Sequence, residues 1–344
     1  MTIDYMKKMI IAGLMMVAAF AQAQVVKEQE QAVVYYMPKT ELVFRFAYEQ
    51  TIHTAGVYAA YAKEMLGIDE PVMQSDTTYR LIDVTTATKA SADDTRVFKV
   101  LANSTLNTQY IALTKDGRLR GYNEELKDER RMDERRKAKD EGQVLRPAVI
   151  PFMEADMRTT SKKERAQKIA SQIFQIRETR IFILAGEVDH APADGIAMER
   201  VLNELNQQEQ NLVALFAGKT EVTRMEKEIV FYPTQSEEVV LANFSTESGF
   251  GTGESIMLTL AATRQFKAAP TGTPDKKAPQ PSQLYYNLPG SVHYSLVYRD
   301  KLLAENTAQV AQLGVEVPLS NELFKKEVHI LFNTFTGNIQ TIYQ

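Results

Sequence analysis

Apolar and polar positions alternate most clearly between Glu41 and Tyr48. There Leu42, Phe44, Phe46 and Tyr48 are separated by smaller or charged residues, the period-two signature of a half-buried strand. Residues 25–34 before it are polar and read as extended. Gly56–Leu66 carries Val57, Tyr61 and Met65 at helical spacing and stops at Gly67, which predicts a short helix of about three turns with a glycine cap. Strand character returns at Tyr79–Val84, Val97–Leu101 and Gln109–Thr114. Asp116-Gly117 between two such runs predicts a hairpin.

The period then changes. Ser161 and Glu164 form a capping box that opens a helix running to about Leu184 and ended by Gly186. Ala166, Ile169, Ala170, Ile173 and Ile176 or Arg177 trace one face. A second helix runs from near Asp194 to Gly218, with Met198, Val201, Leu202, Leu205, Leu212 and Phe216 as its stripe. Joined by about eight residues, the pair predicts an antiparallel αα-hairpin.

Beyond Gly218 strands are expected at 221–232, 237–245 and 255–263, then at 284–286, 291–298, 308–313, 327–333 and 338–343. Thr336-Gly337 marks a turn between the last two. The expected fold class is α+β, with antiparallel β-rich N- and C-terminal parts around a central αα-hairpin. Tyr35-Tyr36-Met37-Pro38 and Tyr285-Tyr286-Asn287-Leu288-Pro289 each precede an alternating strand. An echo of about 15 residues is too short to define a repeat.

Composition shifts divide the chain further. Residues 124–141 hold eight acidic and seven basic side chains in eighteen. Such a run could dock electrostatically, but near-zero net charge favours a solvated helix or mobile insertion. Residues 268–283 contain four prolines and almost no large apolar residue, as in a linker or long loop. The expected segments are therefore 1–23, 24–123, 124–141, 142–267 and 268–283, followed by a C-terminal β unit at 284–344 able to move independently.

The first of these is an address. Lys7 and Lys8 precede a twelve-residue apolar run from Met9 to Phe20, and Ala21-Gln22-Ala23 follows with small-x-small spacing. That order describes a secretory signal peptide cleaved after Ala23. A bilayer span would need about 20 apolar residues, and no second long apolar run occurs. The mature chain is thus expected to carry no integral membrane segment and to lie in the periplasm or at the outer-membrane surface.

Overall, 344 residues with 44% hydrophobic and 24% charged side chains describe a folded globular protein. A formal net charge of −4 offers no positive field for nucleic acid. Losing Asp4, Lys7 and Lys8 would take it to −5. With no cysteine, disulfides, thiolate catalysis, Cys-ligated zinc and a lipoprotein anchor are all excluded.

Candidate chemistry is sparse. His190 stands among Glu187, Asp189 and Asp194, a set that could hold a cation. No second histidine lies near and the spacing fits no zinc pattern, so a polar interhelical loop with Asp194 as N-cap is the better reading. Gly249-Phe250-Gly251-Thr252-Gly253 resembles a phosphate loop, yet the strand-like run after it favours an exposed turn. No G-x-S-x-G occurs, and His53, His293 and His329 read as strand or cap residues. No catalytic, cofactor-binding or metal-binding residue is therefore assigned. Tyr35, Tyr36, Tyr285, Tyr286, Tyr294 and Tyr298 could stack on sugars or line an interface; filling the core edge is the simpler role.

Several segments together resemble one known family. They are YYMPKTELVF at 35–44, GVYAAYAKEMLGI at 56–68, YIALTKDGRLRGYN at 110–123 and the run from Ile176 to Gly218. LYYNLPGSVHYSLVYRDKLL, AQLGVEVPL and FNTFTGNIQTI near the end complete the match. The family comprises signal-peptide-bearing Bacteroidota proteins catalogued as domain of unknown function 4831. The resemblance implies export and an α+β body, and no activity. Two functions follow as expectations. The first is a non-catalytic envelope module for binding or assembly, its partner an envelope protein or a glycan. The alternative is an exported hydrolase of unrecognised type.

Overall fold

A computed structural model describes residues 32–124, 161–187, 195–264, 266 and 283–344. The expected signal peptide, most of the charged run and of the proline-rich run, and the loop holding His190 lie outside the described residues.

Three antiparallel sheets and three α-helices form among them. In the first sheet β1 (Ala32–Thr54) lies between β2 (Asp76–Leu101) and β5 (Lys219–Phe231). The second runs in the order β10 (Lys301–Pro318), β9 (Tyr285–Tyr298), β8 (Glu254–Arg264), β6 (Glu237–Ser245), β7 (Gly249–Phe250). The third is β12 (Ile339–Tyr343), β11 (His329–Phe332), β4 (Leu119–Tyr122), β3 (Ile111–Leu113).

The alternation seen around Phe44 creates the main core. Leu42, Phe44 and Phe46 pack on Ile256, Leu258, Leu260, Tyr294 and Leu296 of the second sheet, and Phe44 meets Tyr294 edge-on at 5.8 Å. The first two sheets thus form a sandwich. A second core joins Tyr35 and Met37 to Tyr122 of β4 and to Ile330 and Phe332 of β11. Pro38 marks the change between cores. It has no N–H to give a ladder, and opposite it β2 carries extra residues between Ala92 and Val97.

Two side chains mend the backbone there. Arg96, in that bulge, donates to the carbonyls of Pro38 and Ala311 and pairs with Asp93 and Glu316. β5 stops opposite Leu42, so Thr40 lacks a strand partner on that side. The Gln312 amide replaces it, accepting from the Thr40 N–H at 2.8 Å and donating to the Thr40 carbonyl at 2.9 Å.

The helices form a third core. A single turn at 59–61 leads into α1 (Ala62–Leu66), which ends at Gly67 with φ +72°. α2 (Lys162–Ala185) begins at the expected Ser161–Glu164 capping box and ends at Gly186. α3 (Gly195–Ala217) feeds β5 through Gly218. Ala166, Ile169, Ala170 and Ile173 of α2 surround Phe216 of α3. Close approach of α3 to the end of β1 needs glycine: a Cβ at Gly56 would stand 2.6 Å from the Phe216 carbonyl oxygen, and one at Gly218 2.6 Å from that of Thr54.

Four expectations change. The two runs at 79–84 and 97–101 belong to one strand, because β1 pairs along the whole of β2 despite the polar stretch between them. Likewise 284–286 and 291–298 merge into β9. On α3 only Phe216 is fully buried; Leu205 is half-buried and Val201 is exposed. The C-terminal unit is not free to move, since β9 pairs with β8 and β11 pairs with β4.

Candidate functional site

The described histidines fall on three different sheets. His53 ends β1, with Nδ1 2.6 Å from Asp76 Oδ1 of the paired strand. His329 stacks flat on Tyr343 at 4.9 Å beside Asn123. His293 is the most suggestive. Its Nε2 lies 2.9 Å from Glu305 and its Nδ1 3.4 Å from the Thr307 hydroxyl. Hydroxyl, imidazole and carboxylate in that order imitate a nucleophile triad. The contacts, however, run across the outer face of the β9–β10 ladder, with the ring 41% and the carboxylate 52% exposed. Thr307 also lines the larger of the two clefts described below, whereas His293 and Glu305 are in the lining of neither.

The carboxylates with displaced pKa values are structural. Across the outer face of the first sheet Glu228 accepts from Arg45 and Lys89, and Glu49 from Arg80 and Arg224. Hydrogen bonds from Arg45 and Arg80, first among these, hold the two carboxyls below their ordinary range. Burial pushes Asp93 up, and bonds from Thr95 and Arg96 more than offset it. No group of three or more potential metal ligands gathers among the described residues.

Of the tyrosines singled out by sequence, all but Tyr36 belong to the cores or pack against them. Tyr35 and Tyr294 are buried, Tyr298 nearly so, and Tyr36, Tyr285 and Tyr286 half-buried. Tyr35 does meet the other half of the echo, its hydroxyl donating to the Tyr285 carbonyl and accepting from the Tyr285 N–H. The glycine-rich run is a turn around β7. Hydroxyls of Ser245, Ser248 and Thr252 bond one another there, and no helix follows to receive a phosphate.

A different feature, absent from the sequence pattern, stands out. β2 and β10 are outermost strands of the two sandwich sheets and lie beside each other without pairing. Two clefts open between them, of about 380 and 430 Å³, volumes within the range of ligand sites. The smaller is lined by 79–84 of β2 and 301–303 of β10, and the larger by 86–89 and 306–309. Lining by consecutive residues shows that the strands present their edges, since a strand face would contribute alternate residues. The two clefts form one seam. At one end the Tyr79 N–H bonds the Thr246 carbonyl; at the other, Ala311 and Gln312 bond Thr40. Thr86, Thr88, Asn306 and Gln309 line the larger cleft, with half-exposed Phe335 at its lip. Arg80, Arg299 and Lys301 line the smaller, against the one acid Asp83.

A family model described as Domain of unknown function (DUF4831) matches residues 31–340. No curated protein and no solved structure matches the chain.

Proposed function

The chain belongs to the family described as Domain of unknown function (DUF4831), and we propose that it works as an exported, non-catalytic binding or assembly module of the cell envelope through the seam between β2 and β10. One observation carries this reading: the seam is the place where two strand edges and a polar lining converge on open space. The three described histidines are not in the lining of either cleft, and their ring contacts go to Asp76, Glu305 and Tyr343. Export rests on Lys7, Lys8, the apolar run after them and Ala21-Gln22-Ala23. Among the described residues no helix is long and apolar enough to cross a membrane.

The test uses a photo-crosslinking residue at Thr88 or Gln309, and as control at Thr223 on the first sheet, in cells of the source organism. Discrete adducts from the seam positions, none from Thr223, and an envelope-fraction protein beginning at Gln24 are expected. Intact Met1 in the cytoplasm would remove the export. The hydrolase reading has one feature in its favour, the Thr307–His293–Glu305 contact. Turnover of a peptide, glycan or ester by the purified protein, lost in His293→Ala, would establish it instead.

A further inference from the structure

Resting on the seam as the contact site, we propose that its occupant is an extended polypeptide segment, acidic toward one end, that adds as a strand to the free edge of β2 or β10. An exposed strand edge is a row of N–H and C=O groups set at the spacing of another strand. Among the described residues the backbone of 80–89 bonds β1 and nothing across the seam, and β10 has only β9 as a partner. Those residues of β2 span about 33 Å at strand rise, room for a segment of about ten residues.

The lining sets the polarity of that segment. Arg80 and Arg299 are each held by one carboxylate, Glu49 and Glu254, whereas Lys301 has no ion pair among the described residues. With Glu49 and Glu254 counted beside Asp83, charges at this end balance, and it is Lys301, without an ion pair among the described residues, that is left to pair with an acidic side chain of the guest. Toward Thr88 and Gln309 the lining is hydroxyl and amide, with Lys89 the one charge and that paired to Glu228. Half-exposed Ile82 and Leu302 give apolar contacts for alternate side chains of the guest. Asp83, Lys89, Lys301 and Glu305 along the two edges discourage pairing with another copy of the same strand. A glycan would use the hydroxyls, the amides and Phe335, and would leave both backbone edges and Lys301 unused.

The chain contains no cysteine, so Thr88→Cys and Leu302→Cys each place one fluorophore in the seam of residues 24–344. The probes are synthetic peptides chosen from a random twelve-residue phage library selected on the unlabelled protein. The expected peptides carry Asp or Glu toward one end, perturb both fluorophores, and bind several-fold more weakly to Lys301→Glu. Methylating alternate backbone nitrogens should weaken them about tenfold or more, because each methyl removes a ladder donor. Peptides indifferent to methylation, peptides that perturb neither label, or no selected peptide would overturn the proposal. If dextran or soluble peptidoglycan fragments perturb both labels instead, the strand guest fails while the binding module stands. Turnover of a probe would remove the module itself.

Discussion

Tyr35 carries its hydroxyl into the interior, the whole side chain being buried. Burial pushes its pKa up, so the group stays a neutral phenol that donates to the Tyr285 carbonyl at 3.0 Å and accepts from the Tyr285 N–H at 2.8 Å. Tyr35→Phe keeps the ring and orphans both backbone groups. Thermal or urea unfolding should show a loss of about 1–3 kcal/mol. Tyr285→Phe should change stability by less than about 0.5 kcal/mol, since that hydroxyl reaches only Gln283, at 3.5 Å. Glu209 works by charge. Hydrogen bonds from Arg177 on α2, then Arg180, each at 2.6 Å, hold its carboxyl below the ordinary 4.5. With the folded value depressed, the clamp contributes fully above pH 4.5 and is lost as pH falls through the folded value. Melting temperatures between about pH 5 and pH 3 should therefore fall more steeply for the wild type than for Glu209→Gln.

Among the elements, the helical pair is tight at one end and open along the rest. Phe216, fully buried against Tyr58 and the small face of α2, should cost about 3–5 kcal/mol as Phe216→Ala. Half-buried Leu205 should cost less than about 2 kcal/mol as Leu205→Ala, measured in the same unfolding series. The stripe through Val201 and Leu205 was legible as periodicity, but periodicity does not say how far a partner extends along it. The same distinction explains β2. Its ends alternate, and its middle, Thr85 to Thr95, carries no large apolar residue; only pairing with β1 makes it a strand. Capping residues such as Ser161 and Gly186 act locally, so both helix ends could be read directly. The seam could not. A free edge exists because β2 and β10, more than two hundred residues apart, find partners on one side only.

For the whole molecule, the chain beyond Gln283 supplies interior strands. β9 lies between β8 and β10, and β11 between β4 and β12. A protein ending at Gln283 should lose cooperative unfolding altogether, seen as a sloping circular-dichroism melt without a midpoint. Survival of a sharp transition would mean that the first sheet and the helices hold together alone. The pairing of Ile330 with Tyr122 also fixes a temporal order. Closing so wide a loop is entropically slow, and folds dominated by distant pairings take milliseconds to seconds. A chain emerging N-terminus first can finish neither the sandwich nor the small sheet until β9 and then β11 have appeared. During that interval it exposes unpaired strand edges, the kind of surface through which incompletely folded chains associate.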